Sequence, residues 1–255
     1  MDADPEHSKD GPEPAVATSD QALLFDVDGT LVDSNYLHVD AWQRAFDAMG
    51  ESVDAWRIHR AIGQDSARLV GSLVGDRGTA WVDKVKKTHS EFYTRQIERL
   101  RAFPGARDTL FALHDAGFRI VLATSAPADE LSHLRAVLDA DDAIDAVTNA
   151  DDVQAAKPDP GIVEVALGRA GVAAARSLFV GDATWDMVAA RRAGVVPIGV
   201  RSGGVGTGEL TDAGAEQVFT DVHELFESMR SDNPVEWVRR LCGNSKRPKG
   251  EPGGT

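Results

Sequence analysis

Gln21-Ala22-Leu23-Leu24-Phe25-Asp26-Val27-Asp28-Gly29-Thr30 runs from four apolar residues straight into two carboxylates and a glycine. A short apolar run that stops this abruptly predicts a buried strand over 21–25, delivering its acids at the C-terminal tip. Two carboxylates two residues apart in such a place are costly unless something compensates them. A magnesium ion, which takes oxygen ligands, would do so. A polar loop that caps a helix is the other reading of the same residues. Gly29 suits a sharp turn, and the Thr30 hydroxyl can tie the loop down, as can Asp33 and Ser34 just beyond.

Outward from this stretch, the pattern turns helical. Leu37, Ala41, Trp42, Ala45, Phe46 and Met49 recur at three- and four-residue steps, with Gly50 as a stop. Further helical stretches fall at 56–62, 66–74 and 79–100. Pro104-Gly105 marks a boundary. Strands are then expected at 119–123, 146–148, 177–180, 196–200 and 215–220. Helices are expected at 106–116, 128–138, 161–170, 187–193 and 222–229. Strands alternating with helices imply an α/β fold, a Rossmann-like parallel sheet with helices on both faces. The helical block is an insertion after the first strand. The expected division is a core over 21–33 and 101–230 and an all-helical cap over 34–100. Disordered tails are expected over 1–20 and, for the most part, over 231–255.

In an open α/β sheet the C-terminal strand tips build the site. This gathers Asp26, Asp28, Thr124, Ser125, Lys157, Asp182 and Asp186 in one crevice. Thr124 and Ser125 follow the apolar run Arg119–Ala123, where a hydroxyl and a free N–H can bind phosphate oxygens or simply cap the next helix. Lys157, stiffened by Pro158 and Pro160, could neutralise a phosphate and a carboxylate, or lie solvated on the surface. Asp182 and Asp186 span a helix start, where the helix dipole also favours acids. The glycine-rich stretch 203–208 lacks the lysine of a nucleotide-binding loop and reads as a flexible surface loop.

The chain has 255 residues, 42% hydrophobic and 27% charged, an ordinary globular balance that leaves room for a core and a small second domain. The net charge of −14 argues against nucleic acid and anionic membrane as partners. The absence of a long apolar run, of an N-terminal signal and of more than one cysteine points to the cytoplasm. An acidic protein that handles phosphate needs a bound cation and local basic groups to reverse the field inside its site.

The four segments together resemble the motifs of the haloacid dehalogenase superfamily. Phe25 to Ser34 matches the first, Thr124 the second, Lys157 in Lys157-Pro158-Asp159-Pro160 the third, and Gly181 to Asp186 the fourth. The likeness is closest to the subgroup of phosphoglycolate phosphatase and beta-phosphoglucomutase. It implies a magnesium-dependent phosphatase acting on a small phosphorylated metabolite, as a monomer or homodimer. Asp26 would be the nucleophile, forming an aspartyl phosphate, and Asp28 the general acid and base. Mg²⁺ would be held by Asp26, Asp28 through its backbone carbonyl, and Asp182, with Asp186 behind or through water. Thr124, Ser125 and Lys157 would clamp the phosphoryl oxygens. Carbon–halogen cleavage needs neither metal nor acid, so Asp28, Asp182 and Asp186 speak against it.

A phosphosugar mutase of the beta-phosphoglucomutase type is the alternative, because Asn35 to Trp42 resembles the mutase segment and His38 falls at its cap histidine. Against it, His89 stands where mutases keep a lysine, and the loop Gly63-Gln64-Asp65 lacks their arginine. A non-catalytic phosphate-binding module is more remote, since such modules usually lose the acids. Substrate choice falls to polar cap residues: His38, Arg60 and Gln64, with Arg68 and His89 beside them.

Overall fold

The chain's central strand, β1 (Ala22–Phe25), is fully buried, and its residues alternate between two cores. Leu23 and Phe25 join one apolar cluster, Ala22 and Leu24 the other, so the sheet must be covered on both faces. In this computed structural model, which describes residues 20–153 and 157–244, the elements follow in chain order. After β1 come β2 (Val32–Asp33), α1 (Asn35–Ala48), α2 (Ala55–Ala61), α3 (Ser66–Val74), α4 (Thr79–Thr94), β3 (Arg101–Ala102) and α5 (Ala106–Asp115). Next are β4 (Arg119–Ala123), α6 (Ala128–Leu138), β5 (Ala146–Thr148), α7 (Gly161–Ala170), β6 (Ser177–Gly181) and α8 (Thr184–Arg192). The chain continues through β7 (Val196–Val200), α9 (Thr207–Ala213), β8 (Gln217–Phe219), α10 (Val222–Arg230) and α11 (Pro234–Asn244).

Six strands form one parallel sheet in the order β5-β4-β1-β6-β7-β8. The order reverses at β1, so the crevice of this α/β fold opens at the tips of β1, β4 and β6. Helices α5, α6, α10 and α11 contribute to the core on one face, and α7 and α8 to that on the other.

Helices α1 to α4 build a further apolar cluster of their own around Trp42, Phe46, Ile58, Val70 and Val85. Leu37, Ala41 and Tyr93 of the same block pack instead into the main core. The two chain crossings between block and sheet, β2 and β3, pair antiparallel, with Val32 opposite Ala102 and Asp33 opposite Arg101.

Two expectations need correction. The 231–255 segment does not read as a tail throughout: α11 covers Pro234–Asn244 and buries Trp237, Val238, Leu241 and Cys242 against the core. Its apolar positions sit at three- and four-residue steps, and each fully buried side chain is worth roughly 1.5–3 kcal/mol. The stretch 203–208 is no loose surface loop. Gly203 presses against Asp182, where any side chain would clash, Val205 is buried, and Thr207 opens α9. Residues 1–19 and 245–255 of the expected tails lie outside the described residues.

Candidate active site

Asp26 leaves the tip of β1, its backbone N–H donating to Val180 of the neighbouring β6 at 2.9 Å. Directly after β6 comes Asp182, and Asp186 sits in the first turn of α8. Carboxylate oxygens of Asp26, Asp182 and Asp186, all buried, lie within 4.8 Å of one another. Lys157 enters the cluster fully buried. Its Nζ donates to Asp26 Oδ1 at 2.6 Å and pairs with Asp186 Oδ1 at 2.8 Å.

The surroundings hold each acid in place. Asp182 accepts from Thr30 Oγ1 at 3.1 Å and from Asn35 Nδ2 at 2.8 Å. Asp186 Oδ2 takes the backbone N–H of Ala183 at 3.0 Å, closing the N-terminus of α8. Gly29, at φ +74°, leaves the gap that Asn35 and Asp182 fill, so a side chain there would break the arrangement.

Three carboxylates against one ammonium would, all ionised, leave two negative charges in a buried crevice. Burial pushes Asp26 up to about 7; Lys157 opposes the rise, and Asp186 and Asp28 add to it. Burial, then the charges of Asp186 and Asp26, lift Asp182 well above the carboxylate range. Burial works against the charge on Lys157, yet Asp186 and Asp26 hold it protonated. The donor set is all oxygen, and its excess charge is that of one divalent cation, so these residues fit such an ion.

Asp28 turns the other way, toward the helical block. Its Oδ1 accepts from Ser34 Oγ at 2.6 Å and faces His38 Nε2 at 3.3 Å. Burial would raise its pKa, but the hydrogen bond and charge of His38, with Ser34 and Lys157, bring it below the usual value. His38 is raised in return: burial lowers it, and Asp28 more than offsets that. The proton of this pair therefore rests on His38. From His38 the polar line continues. Nδ1 meets His89 Nε2 at 3.1 Å, and His89 Nδ1 lies 4.0 Å from the buried carboxylate of Glu130. Burial, then the charge on His38, keeps His89 neutral. Tyr93 stacks on His38 at 4.0 Å and Trp42 on His89 at 4.1 Å, which fixes both rings.

Of the residues expected from sequence, Asp26, Asp28, His38, Gln64, Thr124 and Ser125 line one cavity between the sheet tips and the helical block. Lys157, Asp182 and Asp186 do not line it; they stand behind Asp26, in contact with its carboxylate. Thr124 Oγ1 accepts from the N–H of Ala126, and Ser125 Oγ donates to Gly63 O at 3.4 Å. Arg60 is not in this cavity: it ion-pairs with Glu209 and borders a neighbouring one. Arg68 pairs outward with Asp159 at 3.1 Å. Sequence reading missed Asn35 and Glu130. Asn35 is an ordinary helix-start residue by pattern, and Glu130 an ordinary first-turn acid, so only burial distinguishes them.

Comparison with known proteins agrees with this geometry. The family model described as haloacid dehalogenase-like hydrolase matches residues 23–200. A phosphoglycolate phosphatase of Rhodospirillum rubrum is 30% identical, over 84% of this chain and 92% of its own length. A hydrolase from Pseudomonas syringae superposes with a TM-score of 0.80 at 34% identity, over 83% of this chain and 98% of that one. A beta-phosphoglucomutase from Clostridium difficile shares the fold, with a TM-score of 0.74 at 18% identity, over 88% of this chain and 97% of that one. With the family model spanning the site from β1 to the end of β7, the chain is an enzyme that belongs to the haloacid dehalogenase-like hydrolase family.

Proposed function

We propose that this protein is a magnesium-dependent phosphatase that hydrolyses the monoester of a small phosphorylated metabolite through a phosphoryl group carried on Asp26. The observation that carries the reading is the division of labour between two acids two residues apart. Asp26 is locked among Lys157, Asp182 and Asp186 at the sheet tips, while Asp28 faces the His38 imidazole, whose pKa it raises. The phosphatase relative supports the same reaction class.

Asp26, Asp182 and the backbone carbonyl of Asp28 would hold the ion, with Asp186 behind them. Bound there, Mg²⁺ supplies charge neutralisation for the phosphoryl oxygens. Asp26 attacks phosphorus in line, and Lys157, Thr124 and the Ser125 N–H steady the equatorial oxygens. Asp28 hands a proton to the leaving oxygen, with His38 as the adjoining proton store, and then takes one from the water that cleaves the acyl phosphate. The helical block, as a cap over 34–100, would close the cavity against bulk water and open on the β2–β3 pair to release product.

A mutase must hold a second phosphate while the first is transferred. Arg60 and Arg68 are both engaged with core carboxylates, which favours hydrolysis. The test is product analysis with p-nitrophenyl phosphate and Mg²⁺, combined with trapping of the intermediate. Stoichiometric inorganic phosphate and a hydroxylamine-sensitive phosphate on the peptide containing Asp26 are expected. Labelling elsewhere, or none with full turnover, would overturn the assignment.

A further inference from the structure

The cavity above Asp26 has a floor that takes phosphate and a roof that must take the rest of the substrate. The roof is made by Trp42, Gln64, Ser66, Leu69 and His89 of the helical block, joined by Glu130 from α6 of the core. Among the described residues, the cavity lining holds no arginine and no lysine. The cap arginines nearest in sequence are spent elsewhere, Arg60 on Glu209 and Arg68 on Asp159. The charge on His38 is already matched by Asp28 at 3.3 Å, and both nitrogens of His89 face His38 or Glu130.

Helix N-termini could in principle receive an anion instead. Those of α3 and α6, beside Ser66 and Pro127 of the lining, already carry acids. Asp65 caps α3 by accepting from the N–H groups of Ala67 and Arg68, and α6 carries Asp129 and Glu130 in its first turn. The roof thus offers a buried carboxylate, an amide and a hydroxyl, and no cation to receive a second negative group.

Resting on the phosphatase reading above, we infer that the leaving group of the substrate carries no anionic group and ends in a hydrogen-bond donor, which Glu130 accepts. A hydroxyl or an ammonium satisfies this chemistry; a carboxylate or a second phosphate does not. A carboxylate brought into the roof would be desolvated with no arginine or lysine in the lining to pair it. The chain is therefore assigned a substrate class different from that named for its Rhodospirillum relative.

Three esters of matched size separate the cases: phosphoglycolate, 2-hydroxyethyl phosphate and phosphoethanolamine, which end in a carboxylate, a hydroxyl and an ammonium. Their kcat/KM values with the full-length enzyme and Mg²⁺ give the ranking. Where turnover is slow, the ranking comes from inhibition constants against p-nitrophenyl phosphate. The carboxylate ester is expected to fall at least tenfold below the better of the other two, and which of those leads tells hydroxyl from ammonium. Glu130→Gln is expected to raise phosphoglycolate at least threefold relative to 2-hydroxyethyl phosphate. Phosphoglycolate ranking level or first in an enzyme that hydrolyses p-nitrophenyl phosphate overturns this inference and leaves the phosphatase reading standing. An unchanged ratio in folded Glu130→Gln removes Glu130 from the role. If p-nitrophenyl phosphate and all three esters are inert, the phosphatase reading falls and this inference with it.

Discussion

The floor and the roof of the cavity solve opposite problems. The floor packs Asp26, Asp182, Asp186 and Lys157 into a buried, acid-rich cluster, held from the tips of β1 and β6, the first turn of α8 and the loop before α7. The roof sets neutral or charge-paired rings, His38 and His89, between Tyr93 and Trp42, on helices that have their own core. A change in the floor unbalances the whole cluster, because each acid answers another or Lys157. The roof can exchange one polar residue for another at modest cost, since packing, not charge balance, holds it. The proposed function thereby separates chemistry from selection, and mutations on the two sides should differ in size and kind.

The largest effect should come from the floor. Asp26→Asn is expected to lower kcat by about 10³-fold or more while the protein stays folded, because the proposed reaction uses Asp26 as its nucleophile. Thermal unfolding and phosphate release on one preparation check both halves, and activity above a few per cent of wild type would break the assignment.

Stripping the cation with EDTA should also abolish turnover. The same cluster gives a second readout that needs no catalysis. Returning Mg²⁺ should raise the unfolding midpoint, by about 2.7 kcal/mol of stability at a hundredfold excess over its Kd. Asp182→Asn should blunt that rise; an Mg²⁺-insensitive midpoint in the wild type would count against a cation site here.

Effects at the roof should be smaller and should depend on the leaving group. His38→Gln removes the imidazole beside Asp28, the proposed proton store, so an alkyl phosphate, which needs its leaving oxygen protonated, should lose about 10²-fold in kcat/KM. The p-nitrophenyl ester, which leaves without help, should lose about tenfold less. Equal losses on the two esters would place His38 in structure alone.

The smallest effect concerns stability and pH. Burial pushes Glu130 up to about 7, with Asp28 and Asp129 adding to the rise and His38 opposing it. Between its unfolded value near 4.5 and about 7 the folded protein holds a proton that the unfolded chain has lost. Stability should therefore fall as pH rises through that window. Glu130→Gln should flatten the decline, by on the order of 2 kcal/mol at pH 8 relative to pH 5. Denaturant unfolding at the two pH values measures it, and parallel slopes in mutant and wild type would show that Glu130 is not the group responsible.

Much of this molecule is legible in the chain itself. Strands over 119–123, 146–148 and 196–200 fall where the apolar runs place them, because a two-sided sheet leaves a contiguous hydrophobic signature. Where the pattern weakens, so does the reading. Helix α8 begins at Thr184, earlier than its apolar residues suggest, because Asp186 closes its first turn from a buried position. The short pair β2–β3 has no periodicity to announce it, being two residues on each side. Helix α11 has an apolar stripe, but its neighbourhood is rich in tail-like residues that masked it.

The linear order of residues determined which acids stand at strand tips, since each directly follows an apolar run that the sheet must bury. It could not determine which way those acids face. Asp26 and Asp28 differ by two positions and end in opposite environments, one among Lys157, Asp182 and Asp186, the other against Ser34 and His38. Nor could it show that Arg60 and Arg68 turn outward to Glu209 and Asp159, or that Glu130 turns inward. Those choices are made when the helical block docks on the sheet. A charge seeks its partner in three dimensions, as Arg60 does with Glu209 across 149 residues of chain, and local pattern carries no record of that distance.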